Sequence, residues 1–341
     1  MKQLSDRIQK VSTSRTVHLS SVIDSLRRQG HPIINLGIGE PDEAPFSDIL
    51  AKTTDALIRG ETRYGPVSGI PELREAIAGR FDGYTNENII VTNGSKQALY
   101  MAIQVLCNPG DEVIIPLPCW VSFCEQIKLA GAIPVMVDTK AHQLDCEAIE
   151  KAINAHTKMI IINSPNNPTG AVYPEDALGK IADLAIAHDL YLMSDEAYEA
   201  FIYDGWTHHS LFDFPHVRDR LLVAGSFSKT YCMTGFRIGY AAAPENIISA
   251  MARLQSHLTG NVCTFAQHGA LAATKLNPSN FDPWRNKLQK KRDITLEILK
   301  DFPCHTPRGA FYVFPDITRF LKNGESTETL ATEVLQRVNV A

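Results

Sequence analysis

Lys229 stands between small hydroxyl residues, in residues 225–240, GSFSKTYCMTGFRIGY. Ser226 and Ser228 precede it, and Arg237 follows it. Just upstream, Leu221-Leu222-Val223-Ala224 is an apolar run bounded by Gly225 that reads as a buried strand. A lysine at the mouth of a buried strand is costly unless it has a task. One task is a Schiff base with an aldehyde cofactor. Ser226, Ser228 and Arg237 would then supply hydroxyl donors and a forked cation for a phosphate. A strand end with a surface lysine and a packing arginine is the plainer reading of this stretch, and the rest of the chain has to decide.

The elements that would carry such a site alternate along the sequence. Residues 89–92, 112–116, 133–137, 159–163, 191–194 and 221–224 are strand-like, while 95–107, 120–130, 145–153 and 174–188 have helical spacing. Apolar strands without alternation, separated by helices, predict an α/β fold with a parallel sheet covered on both faces. Right-handed crossovers make the C-terminal edge of that sheet the place for a ligand. Residues 237–243 read as another strand, followed by helices near 245–259 and 262–276. The start reads as an arm and a helix over residues 1–28, then a short strand at 33–36; a helix with proline in its first turn begins at Pro71. Near the other end, 284–299 is a charged helix, 311–314 a strand and 327–338 a helix. A hinge rich in Asn, Pro and Ser is expected near 276–283. Residues 1–40 are therefore expected as an arm and part of a smaller domain, 41–280 as the large domain, and 281–341 as the rest of the smaller one.

Unusual residues cluster in the loops at the strand ends. Asn93-Gly94-Ser95-Lys96 opens a helix, where backbone N–H groups and the helix dipole suit a phosphate; an ordinary cap is the alternative. Trp120 follows the second strand and could cover a flat ring or simply pack in the core. Two asparagines between two prolines, in Ser164-Pro-Asn-Asn167-Pro-Thr-Gly170, ask for a reason. Asp195 closes a strand and leads to Tyr198; it could cap a helix or face a buried cation. Gly37–Asp42 is a loop in which glycine would let backbone approach a ligand. Tyr64 lies in a Gly-Pro loop.

Composition excludes several classes. With 44% hydrophobic and 21% charged residues, the chain reads as a globular protein with a sizeable core. A net charge of -5 and a pI near 6.1 give no reason to expect nucleic acid or an anionic membrane as partner. Seven cysteines, with no C-x-x-C pair, argue against a disulfide framework or a zinc site. No apolar run reaches transmembrane length, and the first ten residues are too polar for a signal peptide. A cytoplasmic location is the default expectation.

Five strand ends with a polar group at one rim match one task, holding pyridoxal 5'-phosphate. In these motifs, together with Pro307-Arg-Gly-Ala-Phe-Tyr312, the chain resembles the fold type I pyridoxal-phosphate enzymes of the aspartate aminotransferase family, from about Leu4 onward. The resemblance implies a mostly parallel, seven-stranded sheet sandwiched by helices, with a smaller α+β domain. It implies that Lys229 carries the cofactor and moves the proton between substrate Cα and cofactor C4′. Asp195 would pair with the pyridine nitrogen and keep it protonated. Tyr198 and Asn167 would hydrogen-bond the ring oxygen, and Trp120 would stack on the ring. Gly94, Ser95, Lys96, Ser226, Ser228 and Arg237 would hold the phosphate. Tyr64 would reach the phosphate of a neighbouring subunit, so a homodimer is expected. Asn167–Pro168 would be a cis peptide. Gly39, Trp120 and Asn167 match positions near the substrate α-carboxylate; Lys96, Ser14 and Thr16 match positions that read a side-chain carboxylate. The expected reaction moves an amino group from an L-amino acid, aspartate first, to a 2-oxo acid such as 2-oxoglutarate.

In one respect the chain departs from the family. Members continue for some tens of residues past Ala341, and that part carries an arginine that forks onto the substrate α-carboxylate. No residue here matches it, and after the helix at 327–338 a further strand is called for and none is read. Losing such a clamp would cost on the order of 2–5 kcal/mol of binding. Three alternatives stay open: an aminotransferase for aromatic or other neutral amino acids, a β-lyase using the same cofactor, and a cofactor-binding chain with impaired catalysis. A nucleotide-dependent dehydrogenase is disfavoured, because no G-x-G-x-x-G follows a strand.

Overall fold

Ile89, Ile90 and Val91, then Val113, Ile114 and Ile115, then Met159 to Ile162 are buried residue after residue. Strands apolar on both faces must be covered on both faces. The computed structural model describes residues 3–12, 15–322 and 324–341. Its strands are β1 (Ile89–Thr92), β2 (Glu112–Leu117), β3 (Ile133–Asp138), β4 (Thr157–Asn163), β5 (Tyr191–Asp195), β6 (Leu221–Ser226) and β7 (Gly239–Ala242). They form one seven-stranded sheet in the order β1-β7-β6-β5-β4-β2-β3. β7 runs antiparallel to β1 and β6, and the other neighbours are parallel, as the alternating pattern predicts.

The helices are α1 (Asp6–Gln9), α2 (Arg15–Arg28), α3 (Ser47–Ile58), α4 (Pro71–Ala78), α5 (Ser95–Leu106), α6 (Ser122–Leu129), α7 (Cys146–Ala152), α8 (Glu175–Ala187), α9 (Glu245–Leu258), α10 (Thr264–Ala273), α11 (Asp282–Ile298) and α12 (Thr327–Val338). Side chains alternate across each strand, so each face has its own core. On one face Ile89, Val91, Ile114, Ile160, Ile162 and Val223 meet Ile49 of α3, Leu73 of α4, Leu178 of α8 and Ala270 of α10. On the other, Ile90, Val113, Ile115, Ile161 and Leu222 meet Leu99 of α5, Phe123 of α6 and Met251 of α9. Each fully buried aliphatic side chain contributes about 1.5–3 kcal/mol. These two layers hold the sheet rigid, and so fix the spacing of the groups at its rim.

The structure corrects the sequence reading in three places. Residues 311–314 form no strand: Ala310 is left-handed at φ 56°, which ends the extended run. Pairing occurs one step earlier, where Ala310 N–H donates to Phe201 O and Tyr203 N–H to Arg308 O, both at 2.9 Å. Residues 33–36 contribute only a bridge at Ile34, but its partner is Val340, in parallel. After α12, among the described residues, there is this bridge alone and no strand, with Leu36 N–H donating to Ala341 O at 2.6 Å. Ile23 of α2, Ile33 and Leu335 of α12 form a separate small core there. Finally, α3 had no counterpart in the reading; it starts behind Phe46 without a capping side chain, so its usual sequence signal is missing.

Candidate active site

Strand register gathers the rim. Asn163 is paired with Asp195, Asp195 with Ala224, Ser226 with Gly239, and Gly239 with Thr92. The ends of β1, β4, β5 and β6 and the start of β7 therefore lie side by side, and the loops after them converge. β7 enters the rim by its first residue because it runs the other way.

Lys229 and Asp195 are the two titratable centres of this rim. The Lys229 ammonium donates to Gly39 O and lies 5.9 Å from the centre of the Phe311 ring. Burial pushes its pKa down to about 8; Glu40 and Asp195 oppose this, while Arg237 and Lys96 add to it. Asp195, 5% exposed, is pushed up to about 7, again by burial, with Glu196 adding. The Ala197 N–H, 3.2 Å from its Oδ1, and Lys229 pull the other way. An acid and an amine displaced in opposite directions within each other's field are the mark of a functional site.

The other end of the rim is built from backbone and one guanidinium. Gly94 has φ 76°, and a Cβ there would sit 2.4 Å from Arg237 Nη2. Facing it, a Cβ on Gly239 would sit 2.3 Å from Ser95 N. Two glycines thus let the guanidinium and the β7 backbone close on the start of α5, which carries no side-chain cap. Arg237 Nη1 donates to Thr234 O at 2.9 Å, fixing the fork. Ser226 Oγ accepts from Ser228 N–H at 3.1 Å. A phosphate at this end, a cationic ring nitrogen against the buried carboxyl and an aldehyde near the amine are the three demands of pyridoxal phosphate, and these residues fit them.

Between the two ends stands a wall of hydroxyls and amides. Asn167 N–H donates to Asn163 Oδ1 at 2.8 Å, and Asn163 Nδ2 donates to the Asp195 carbonyl at 3.0 Å. Asn167–Pro168 is cis, as expected from the resemblance. The Tyr198 hydroxyl meets the Tyr312 hydroxyl at 2.5 Å. Burial first, and then Tyr312, raise the Tyr198 pKa, while the Asn167 side chain lowers it. Tyr312 also closes on the backbone, since a Cβ on Gly39 would lie 2.7 Å from its hydroxyl oxygen. Tyr312 closes the Pro307–Tyr312 motif, and nothing in that motif signals its contact with Tyr198.

Of the remaining expected residues, Trp120 and Lys96 lie at the edge. Trp120 is half-buried, packed edge-on to Phe123 at 5.4 Å, with the Lys96 ammonium 4.8 Å from its ring centre. Lys96 is thus tied to Trp120 as well as standing near Arg237, and burial followed by Arg237 lowers its pKa. Tyr64 is fully exposed and does not join the rim of its own chain. Ser14 lies outside the described residues, as does the side chain of Thr16. Beside the rim a cleft of about 1250 Å³ is lined by Ser12, Lys96, Cys119, Glu125, His142 and His305 among others. It touches the site at Lys96.

Sequence reasoning missed the layer behind Asp195. Buried Glu196 accepts from Ser194 Oγ at 2.8 Å and Ser210 Oγ at 2.7 Å, and meets His208 Nε2 at 3.2 Å. Nothing in the spacing of a lone serine and histidine could have signalled this contact.

Comparison with known proteins agrees with the geometry. Residues 31–341 match the family model described as aminotransferase class I and II. A probable aspartate/prephenate aminotransferase of Aquifex aeolicus is 38% identical over 355 residues, covering 100% of this chain and 90% of the relative. The aspartate/prephenate aminotransferase of Cereibacter sphaeroides is 40% identical, covering 93% and 83%. Among solved structures, the aspartate aminotransferase of Thermus thermophilus with maleate superposes with a TM-score of 0.94 at 39% identity, covering 100% of this chain and 91% of that one. On its sheet, its rim and these relatives, the chain belongs to the aminotransferase class I and II family, whose aspartate aminotransferase branch depends on pyridoxal phosphate.

Proposed function

We propose that this chain transfers the amino group of L-aspartate to 2-oxoglutarate. The observation that carries the reading is the pair formed by Lys229, an amine held near pKa 8, and Asp195, a buried carboxyl on the adjoining strand. When bound, pyridoxal phosphate supplies an aldehyde that takes up the amino group and a ring that accepts the electron pair left on the substrate Cα. Lys229 Nζ, whose lowered pKa leaves a minor fraction unprotonated just above neutral pH and most of it unprotonated above about 8, would bind that aldehyde and later take the Cα proton. Asp195 holds a proton on the ring nitrogen: a cation against this carboxyl brings it back to the ionised form that burial disfavours. Arg237, the α5 N-terminus, Ser226 and Ser228 bind the phosphate. Tyr198 and Asn167 orient the ring oxygen, Trp120 covers the ring face, and Gly39 and Asn167 lie towards the substrate α-carboxylate.

The aspartate assignment is supported by Lys96, a cation at the rim, and by the names of the relatives above. A homodimer, with the exposed Tyr64 reaching the partner's phosphate site, is part of the same reading. So are a cytoplasmic location and a division into a large domain at 41–280 and a smaller one at 1–40 and 281–341. The contact between α2 and α12 supports that division. Among the described residues no helix is long and apolar enough to cross a membrane.

The test is a set of single half-reactions with the cofactor-loaded protein. L-aspartate should bleach the cofactor band and release a 2-oxo acid, and 2-oxoglutarate should restore the band. Conversion by L-phenylalanine, L-alanine or L-methionine alone would overturn the acidic-donor assignment, and pyruvate with ammonia as products would indicate a β-lyase.

A further inference from the structure

A carboxylate that the mechanism does not use joins two arginines beside the rim. Asp204 Oδ2 accepts from Arg292 Nη1 and from Arg308 Nη1, both at 2.7 Å. Its Oδ1 accepts from Arg292 Nη2 at 2.8 Å and from Gln289 Nε2 at 3.2 Å. Asp204 lies in the loop after β5, Arg292 in α11, and Arg308 in the motif that ends at Tyr312. Arg292 is 8% exposed, and a guanidinium so placed needs a forked acceptor. It also donates to Pro307 O at 3.0 Å and to Asp293 Oδ1 at 2.6 Å. Arg308 is half-buried and can reach water, yet it turns to the same carboxylate.

This cluster holds the turn that leads to Tyr312. Arg308 N–H and Gly309 N–H both donate to Gly170 O at 2.9 Å, and Gly309 bridges Ile202. The fit is close: a Cβ on Gly309 would sit 2.8 Å from Phe201 O, and one on Gly170 would sit 2.5 Å from Pro307 Cβ. Residues 307–310 are therefore seated on two loops at once. One follows β4 and carries Asn167, and the other follows β5 and carries Tyr198. Tyr312 comes two residues later.

We propose that Asp204 is a positioning residue: by joining Arg292 and Arg308 it fixes the 307–310 turn and so sets the Tyr312 hydroxyl against Tyr198. The proposal rests on the role given above to Tyr198 at the cofactor ring oxygen.

The physical reason is convergence on one point. Charge-assisted hydrogen bonds are roughly twice as strong as neutral ones, and three of them end on this carboxylate. The loop after β5, α11 and the 307–310 turn thus share a common anchor. Asp204 is left-handed at φ 56°, followed by Gly205 at φ 71°, so the loop turns sharply where the carboxylate is needed. Arg292 first, against burial, and then Arg308 hold the Asp204 carboxyl below its ordinary range. It therefore stays charged while other groups of the site titrate.

The test compares wild type with Asp204→Asn, alone and combined with Tyr312→Phe. Asparagine tolerates the left-handed turn and removes the charge. In the cofactor-free protein, amide hydrogen exchange of residues 308–312 should quicken by about tenfold, while β1 and β6 keep their protection. In the cofactor-loaded protein, the pH midpoint of the cofactor band should move in the same direction as in Tyr312→Phe. Adding Asp204→Asn to Tyr312→Phe should then move it no further. Arg308→Met, at a half-buried position, gives the same readouts should the Asp204 variant fail to fold. Exchange at the wild-type rate, an unmoved midpoint, or shifts that simply add would each overturn the proposal. So would an earlier melting transition with exchange quickened throughout and the midpoint unmoved, which makes the cluster a structural anchor only. A wild type with no cofactor band would sink the Lys229 reading instead, and the exchange result alone would then decide this one.

Discussion

The hydroxyls of Tyr198 and Tyr312 meet at 2.5 Å across 114 residues of sequence. The contact ties the loop after β5 to the segment after Ala310, and Gly39 packs on the same hydroxyl. Tyr312→Phe removes one partner and leaves the ring. Turnover should fall by about fivefold, the worth of roughly 1 kcal/mol from one neutral hydrogen bond, and the pH at which the bound cofactor changes colour should move. Steady-state kinetics and an absorbance titration check both.

Lys229→Ala should abolish the pH-dependent cofactor band and lower turnover by at least about 10²-fold, the contribution of a positioned general base. An unchanged spectrum would refute the role given to this amine.

In the wild-type apoprotein, the rate of cofactor loading should rise with pH through about 8, where Lys229 loses its proton. Stopped-flow absorbance follows it directly. A rate that is flat from pH 6 to 9 would remove the amine from the loading step.

Asp195 makes a prediction about stability. Its folded pKa, about 7, is above its ordinary value of 3.8. Between those values the folded cofactor-free chain holds a proton that the unfolded chain has lost, so this group's contribution falls as pH rises through the window. Asp195→Asn should therefore raise the melting temperature of the cofactor-free protein at pH 8 more than at pH 4. The gain at pH 8 is on the order of 1–4 kcal/mol. The same variant should lose most turnover, since a neutral amide cannot hold the ring proton. Calorimetry and activity together test it.

Gly94→Ala adds a Cβ where φ is 76° and Arg237 Nη2 is 2.4 Å away. Strain of about 1–3 kcal/mol and a displaced guanidinium should weaken cofactor binding by roughly tenfold or more, read by fluorescence titration.

Lys96→Ala should raise the KM for aspartate by roughly tenfold or more and leave neutral donors nearly unchanged, because only a side-chain carboxylate loses a partner. Equal effects on both donor classes would assign Lys96 to the phosphate instead.

The rim was legible in the sequence because its residues follow strand ends directly. Asp195 closes β5, Gly94 and Ser95 open α5, and Lys229 trails β6 by three positions, so locating the strands located the groups. What escaped depends on contacts between distant segments. Tyr312 meets Tyr198 across the fold, and nothing in the Pro307–Tyr312 motif signals that contact. Glu196 and His208 meet only because the loop after β5 folds back. Helix α3 lacks a capping residue, and its pattern matters only once Ile49 meets the sheet.

The reversed direction of β7 sets a ruler in the site. Because Ser226 pairs with Gly239, residues 227–238 leave the sheet and return to it at the same edge, with Lys229 near one end and Arg237 near the other. The distance between amine and guanidinium is fixed by the closure of that single loop. Lengthening it by one residue would move the two groups relative to each other while leaving both strands paired.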